Sequence, residues 1–127
     1  MTPDEEIAQS ERLHSIVESR LRAAERIYAA SAREMAALSE TLEICEADLG
    51  APALFSGDEP TYVLFAERRR TLLKRQLGAL EESLRRLRDT RIAQRENVET
   101  LLRQKTALEA TLDALRTDEK RRRSRTA

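Results

Sequence analysis

The sequence predicts an all-α protein, a long two-helix antiparallel coiled-coil hairpin with the second helix overhanging the first. The first observation behind this is composition. Only 3% of the 127 residues are aromatic, none is Trp, and 36% are charged, which is typical of long helices and coiled coils. The second is that four of the six Gly and Pro residues fall between Gly50 and Pro60. The third is an unbroken apolar heptad repeat on each side of that window.

The first helix is predicted over about 3–49. Thr2-Pro3-Asp4-Glu5 has the form of a capping box, with Pro at the first helical position and acidic residues in the first turn. Gly50 suits a left-handed cap after the last turn, and Pro52 prevents the helix from continuing.

A loop is predicted over 50–60 and the second helix over about 61–122, followed by a frayed basic tail at 123–127. Ser56 or Asp58 is positioned to cap the second helix, and Pro60 is tolerated in its first turn. Leu54 and Phe55 are expected to fold back on the tip of the hairpin, and a contact with a partner is the alternative. The whole chain, 1–127, is predicted to form a single antiparallel coiled-coil domain.

Steps of three and four residues trace one apolar seam along each helix. In the first helix the seam is Ile7, Ser10, His14, Val17, Leu21, Ala24, Tyr28, Ser31, Met35, Leu38, Leu42, Cys45 and Leu49. In the second it is Val63, Ala66, Arg70, Leu73, Leu77, Leu80, Leu84, Leu87, Arg91, Gln94, Val98, Leu101, Lys105, Leu108, Leu112 and Leu115. A repeat of this spacing indicates a left-handed coiled coil, and the short connection favours antiparallel pairing.

Pairing Leu49 with Val63 would place Ile7 opposite about Lys105. The seam residues Leu108, Leu112 and Leu115 would then project beyond the first helix as a C-terminal overhang. Such a leucine stripe is a candidate docking surface for another protein. A frayed or self-associating end is the alternative.

A second apolar stripe lies beside the seam of the first helix. It comprises Leu13, Ile16, Ala23, Ile27, Ala30, Ala37 and Ile44. Because a two-helix seam needs only two positions per heptad, this stripe suggests a third helix or a partner surface. The sequence alone leaves open whether it packs a third helix.

The two halves of the chain carry opposite charge. Residues 1–60 hold 5 basic and 13 acidic side chains, a net charge of −8, and residues 61–127 hold 18 and 10, a net charge of +8. Repulsion between like helices disfavours a parallel homodimer through either helix, so charge favours a monomeric hairpin. The basic end, Lys120, Arg121, Arg122 and Arg123, is expected to be either a solvated helix end or a contact for an acidic protein surface.

Several functional classes are disfavoured. The single Cys45 and single His14 provide no metal-ligand cluster, and no catalytic or phosphate-binding motif occurs, so no catalytic, cofactor or metal site is predicted. No apolar stretch is long enough to span a membrane, and the acidic N-terminus differs from a secretory signal, so a cytoplasmic location is expected. A nucleic-acid partner is not expected, because basic-zipper proteins place the basic segment before the leucine heptads and here it follows them.

The start of the second helix resembles the FliJ/YscO family of type III export proteins. Tyr62-Val63-Leu64-Phe65 followed by Arg68-Arg69-Arg70-Thr71-Leu72-Leu73-Lys74-Arg75-Gln76-Leu77 is similar to that family's aromatic-x-x-aromatic opening and the seam after it. The acidic first helix and longer basic second helix are also similar.

This resemblance implies a non-enzymatic stalk or adaptor that couples a hexameric export ATPase to the type III export gate, peripheral to a membrane-embedded flagellar or injectisome apparatus. It places Tyr62, Phe65, Leu72 and Gln76 on a gate-contacting face and directs the C-terminal overhang, with the basic end, at the ATPase. Arg69 departs from the apolar residue expected on the gate face. The resemblance does not distinguish a flagellar from an injectisome role.

Two alternatives from other classes remain. A prefoldin-like chaperone is also a long helical hairpin, but the connection here lacks the alternating strands that such proteins use for assembly. A generic coiled-coil scaffold would bind another protein through the overhang without any role in export. Under the export hypothesis, deleting residues 108–127 is predicted to abolish ATPase binding and leave helicity largely intact.

Overall fold

The computed structural model describes residues 1–51 and 60–126. It contains two helices, α1 (Pro3–Gly50) and α2 (Pro60–Thr126), which pack against each other, and no strand occurs within those ranges. The predicted all-α helical hairpin is therefore confirmed. The expected positions of Leu54 and Phe55 and the cap at Ser56 or Asp58 lie outside the described residues.

The predicted capping box at the start of α1 is present. The Glu5 amide donates to Thr2 Oγ1 at 3.2 Å, and the Thr2 amide donates back to Glu5 Oε2 at 3.3 Å. Each contact satisfies a backbone amide that the first helical turn leaves without a partner.

The end of α1 differs from the prediction. Gly50 is the last helical residue, and no described glycine has a positive φ, so Gly50 is not a left-handed cap. The Ala51 amide instead bonds to the Asp48 carbonyl at 3.3 Å, a tighter final turn. The helix ends here because Pro52 comes next but one in the sequence, and a residue that precedes proline is disfavoured in the helical conformation.

The end of α2 also differs, because the helix continues through the predicted frayed tail to Thr126. Arg122 and Arg123 both pair with Glu119, at 3.1 and 3.2 Å. The Thr126 hydroxyl donates to the Arg122 and Arg123 carbonyls. These contacts extend the helix through the basic residues, which also suit the negative helix end.

The two predicted seams are the buried faces of the helices. All thirteen seam positions of α1 are buried or half-buried, and so are those of α2 from Leu73 to Leu115. Near the start of α2, Val63 and Arg70 are exposed, so packing begins later in α2 than predicted. The free thiol of Cys45 is buried, as expected.

The chain divides into two compact units. The first comprises Met1–Ala29 with Ile92–Ala127, and the second comprises Ala30–Arg91. In the first, Leu21, Ala24 and Leu101 form a buried cluster with Val17 and Val98 against it. In the second, Leu84 is the most buried apolar side chain, and the Cys45 thiol donates to the Leu73 carbonyl at 3.5 Å.

The predicted register is wrong by about ten residues. In the second unit, Arg91 Nη1 donates to Ser31 Oγ at 2.8 Å, whereas pairing Leu49 with Val63 would place a residue near 81 opposite Ser31. In the first unit, Arg116 pairs with Glu11 at 3.0 Å and Glu109 with His14 at 3.1 Å. Sliding a heptad repeat by seven residues realigns its apolar positions, so the repeat alone does not determine the register.

The shifted register removes the predicted C-terminal overhang. Leu112 is buried, and Leu108 and Leu115 are half-buried, so all three lie in the seam. The end of α2 that extends past the other helix is the opposite one, its start. Cys45 lies about one turn before the end of α1, yet its partner Leu73 lies more than three turns into α2. The first turns of α2 therefore extend past the last residue of α1.

Candidate protein-binding surface

Each helix has two flanks beside its seam. With the seam at heptad positions a and d, positions c and g form one flank and positions b and e form the other. In an antiparallel pair the g positions of both helices lie on the same side, as do the e positions. The hairpin thus has a c/g flank and a b/e flank, and each contains residues of both helices.

In the first unit, the b/e flank carries contacts between the helices that involve charged side chains. In the first unit, Arg116 and Glu11 occupy e positions and pair at 3.0 Å. Glu109, also at an e position, accepts a hydrogen bond from His14 at 3.1 Å. These contacts join the two helices on this side.

Between Leu72 and Ala114, the c/g flank of α2 is almost free of charge. Among its thirteen c and g positions from Leu72 to Ala114, only Arg86 is charged, whereas thirteen of the eighteen b, e and f positions in that range are charged. Arg86 itself pairs with Glu82 at 3.2 Å. Hydrogen bonds from Arg85 and then Arg86 hold the pKa of the Glu82 carboxyl below its ordinary value of 4.5. Such uneven charge is typical of a surface that contacts protein rather than water.

In the second unit the c/g flank forms an apolar groove of about 450 Å³. Thr41, Ile44 and Asp48 of α1 line one wall, and Gln76, Ala79 and Ser83 of α2 line the other. The seam residues Cys45, Leu73 and Leu80 form its floor. Its shape and its apolar floor suit the side chains of a packed helix.

The four predicted gate-contacting residues share this flank. Tyr62 and Gln76 occupy g positions, and Phe65 and Leu72 occupy c positions, so all four lie on one face of α2 in the second unit. All four are exposed, with 59% of Phe65 and 56% of Leu72 accessible. Arg69 lies between them on the same face and is also exposed.

The predicted ATPase-contacting residues do not form one surface. The side chains of Leu108, Leu112 and Leu115 pack in the seam and are not a free stripe, which corrects the prediction. Lys120, Arg121, Arg122 and Arg123 are exposed, and the last two are paired with Glu119. At the C-terminus of α2, only these basic residues therefore remain available to contact a partner.

The second apolar stripe of α1 is exposed. Leu13, Ile16, Ile27 and Ile44 are each between 45% and 56% accessible, and every residue of the stripe occupies a c or g position.

The charge-poor c and g positions of α2 were not identified from its seam. A count of charge by heptad position would have found them, since it needs no coordinates.

No protein-family model, curated protein or solved structure matches this chain. No helix among the described residues is long and apolar enough to cross a membrane. Within residues 1–51 and 60–126, no group of three or more His, Cys, Asp or Glu side chains is arranged to hold a metal ion. Among the described residues, the candidate functional site is therefore the c/g flank, a surface suited to binding another protein.

Proposed function

We propose that this protein is a non-enzymatic coiled-coil adaptor that couples a hexameric export ATPase to a type III export gate. Its gate contact is the c/g face at the start of α2. The observation that carries the proposal is the position of Tyr62, Phe65, Leu72 and Gln76 on one exposed face. Exposed apolar and aromatic side chains of this kind favour protein contact.

The extension of α2 past the end of α1 supports this assignment. In its first turns, Tyr62, Val63, Leu64 and Phe65 are each between 41% and 59% exposed. A contiguous apolar segment with this exposure is unusual for a surface that contacts only water. Arg69, between Phe65 and Leu72, adds a positive charge and favours an acidic residue at the matching position of the gate.

The ATPase contact is assigned to the basic end of α2. Because Leu108, Leu112 and Leu115 lie in the seam, binding through their side chains would require the helices to separate. Lys120 and Arg121 are exposed, and no described residue forms an ion pair with either. An acidic ATPase surface would bind them without disturbing the helical pair, and such binding weakens at high salt.

Titration of the full-length protein with the gate's cytoplasmic domain and, separately, with the ATPase hexamer tests the proposal. We expect both to bind, and we expect Leu72→Glu to weaken gate binding about tenfold or more. Ile92→Glu is the matched control. Ile92 is 59% exposed and lies on the other flank of α2, so its replacement should leave gate binding unchanged.

Circular dichroism of both variants would establish that the helices persist. Failure of the unmodified protein to bind either partner would overturn the export assignment. Equal loss of gate binding in the two variants would overturn the c/g contact.

A further inference from the structure

We propose that the second apolar stripe of α1 is a self-association surface, on which a second copy of this chain packs with its own α1 antiparallel. The proposal is independent of the export role. It rests on the exposure of the stripe and on the arrangement of the two charges within it. This second apolar stripe, the α1 stripe, has Leu13 and Ile44 at its ends.

The α1 stripe is too apolar for a solvated flank. Between Leu13 and Ile44, the c and g positions hold seven Leu, Ile or Ala residues together with Arg20, Glu34 and Thr41. Ile27, near the middle, is 56% exposed. Burying such side chains against a second helix is favourable by about 0.8 kcal/mol per buried methylene.

The two charges that interrupt the stripe identify the occupant. Arg20 lies seven residues before Ile27, and Glu34 lies seven residues after it. Seven residues are almost two full turns, so all three lie on nearly the same face of α1. Neither Arg20 nor Glu34 has an ion-pair partner among the described residues.

A twofold axis at Ile27 gives each of these charges an opposite one. In a twofold interface, if residue i of one copy contacts residue j of the other, then j also contacts i. With antiparallel helices centred on Ile27, Arg20 of each copy faces Glu34 of the other, which forms two ion pairs. Parallel stripes would instead place Arg20 against Arg20 and Glu34 against Glu34.

This centre also gives a long apolar overlap, which runs from Leu13 to Thr41. Around Ile27, most of the α1 stripe of one copy covers that of the other. Centring the contact one heptad earlier or later shortens the overlap and leaves only part of the stripe covered. The like charges Glu6 and Asp48 meet only at the two ends of the interface, where water and salt screen them.

This arrangement is compatible with the charge of the helices. The net charge of −8 on the acidic half disfavours a parallel homodimer, because like charges then meet along the whole length. An antiparallel contact on the c/g flank depends on the residues that face one another. In the contact centred on Ile27, the facing charges Arg20 and Glu34 are of opposite sign.

Light scattering of the full-length protein over a range of concentrations tests the inference. We expect the mass to rise from 14.5 kDa towards twice that value. Arg20→Glu and Glu34→Arg should each weaken dimerisation about tenfold or more, because each replaces two attractive pairs with two repulsive ones. The double variant R20E/E34R should restore dimerisation to within about threefold of the original, because the pairs re-form with their signs exchanged.

Ile27→Glu should abolish the dimer, whereas the matched control Ile92→Glu should not affect it. A monomer at all concentrations would overturn the inference. A dimer that tolerates Arg20→Glu, Glu34→Arg and Ile27→Glu would also overturn it, because self-association would then use another surface. Failure of the double variant to recover, with helicity retained, would exclude the antiparallel arrangement about Ile27.

Discussion

Ser31 and Arg91 form a polar contact within the seam that helps to select the register. Ser31 is buried, and the charged Arg91 donates to its hydroxyl at 2.8 Å. Sliding α2 by one heptad towards the predicted register would place Arg91 opposite Ala24 and lose this hydrogen bond. A hydrogen bond with a charged group contributes about 1.5–3 kcal/mol. Polar seam residues are a known means of specifying register in coiled coils.

Cys45 yields a prediction at the residue scale. Its side chain is 7% exposed, and its thiol donates to the Leu73 carbonyl. We expect a thiol reagent such as DTNB to modify it slowly in the folded protein and rapidly in denaturant, because the reagent must reach the sulfur atom.

The control variant for Cys45 carries Thr41→Cys together with Cys45→Ala. Thr41 is exposed one turn away on α1, so the new thiol should react rapidly without denaturant. Reaction of Cys45 in the folded protein as fast as that of the control would contradict the buried position.

At the element scale, the seam was predictable and the pairing was not. The steps of three and four residues located the buried face of α1 at all thirteen positions, because burial of a helix face follows directly from helical periodicity. The same periodicity gives several equivalent alignments of two helices. The choice among them depends on particular contacts, such as Ser31 with Arg91 and Glu11 with Arg116.

Leu112 tests the register. In the structure its side chain is 5% exposed, whereas in the predicted register it would project beyond α1. We expect Leu112→Ala to lower the free energy of unfolding by about 2 kcal/mol or more, because a large apolar group is removed from a packed site.

Urea unfolding monitored by circular dichroism would measure this loss. Leu102→Ala is the control, since Leu102 is about half exposed, and it should change the free energy by less than about 0.5 kcal/mol. Equal effects of the two substitutions would favour an unpaired C-terminal end.

At the scale of the whole molecule, the formal charge of zero conceals two different charge patterns. The acidic and basic halves cancel, and in the first unit the contacts of Arg116 with Glu11 and of His14 with Glu109 lie on the b/e flank. From Leu72 to Ala114 the c/g flank of α2 has almost no charge, and in the second unit this flank forms an apolar groove. Both the gate contact and the self-association surface that we propose lie on c and g positions.

Deletion of residues 108–127 gives a prediction for the molecule as a whole. Because Leu112 and Arg116 pack against the start of α1, the shortened chain should lose helix in α1 as well as the deleted turns. We therefore expect the helicity per residue and the melting temperature to fall, contrary to the expectation from the sequence that helicity would be retained.

A chain that ends at Lys120 is the control for this deletion. It keeps the seam through Leu115 and the half-buried Glu119 beyond it, so its melting temperature should stay close to that of the full chain. An unchanged melting temperature after deletion of 108–127 would show that α1 does not depend on this part of α2.

The sequence by itself determined the helical class, the bounds of α1 to within a residue and the buried face of each helix. These depend on local capping, on proline and glycine, and on periodicity along a single chain. Only the tertiary structure decided which residues face one another, and therefore which end of α2 extends past α1. That choice depends on side-chain contacts between residues such as Ser31 and Arg91, sixty positions apart, and a seven-residue repeat does not distinguish among the alternatives.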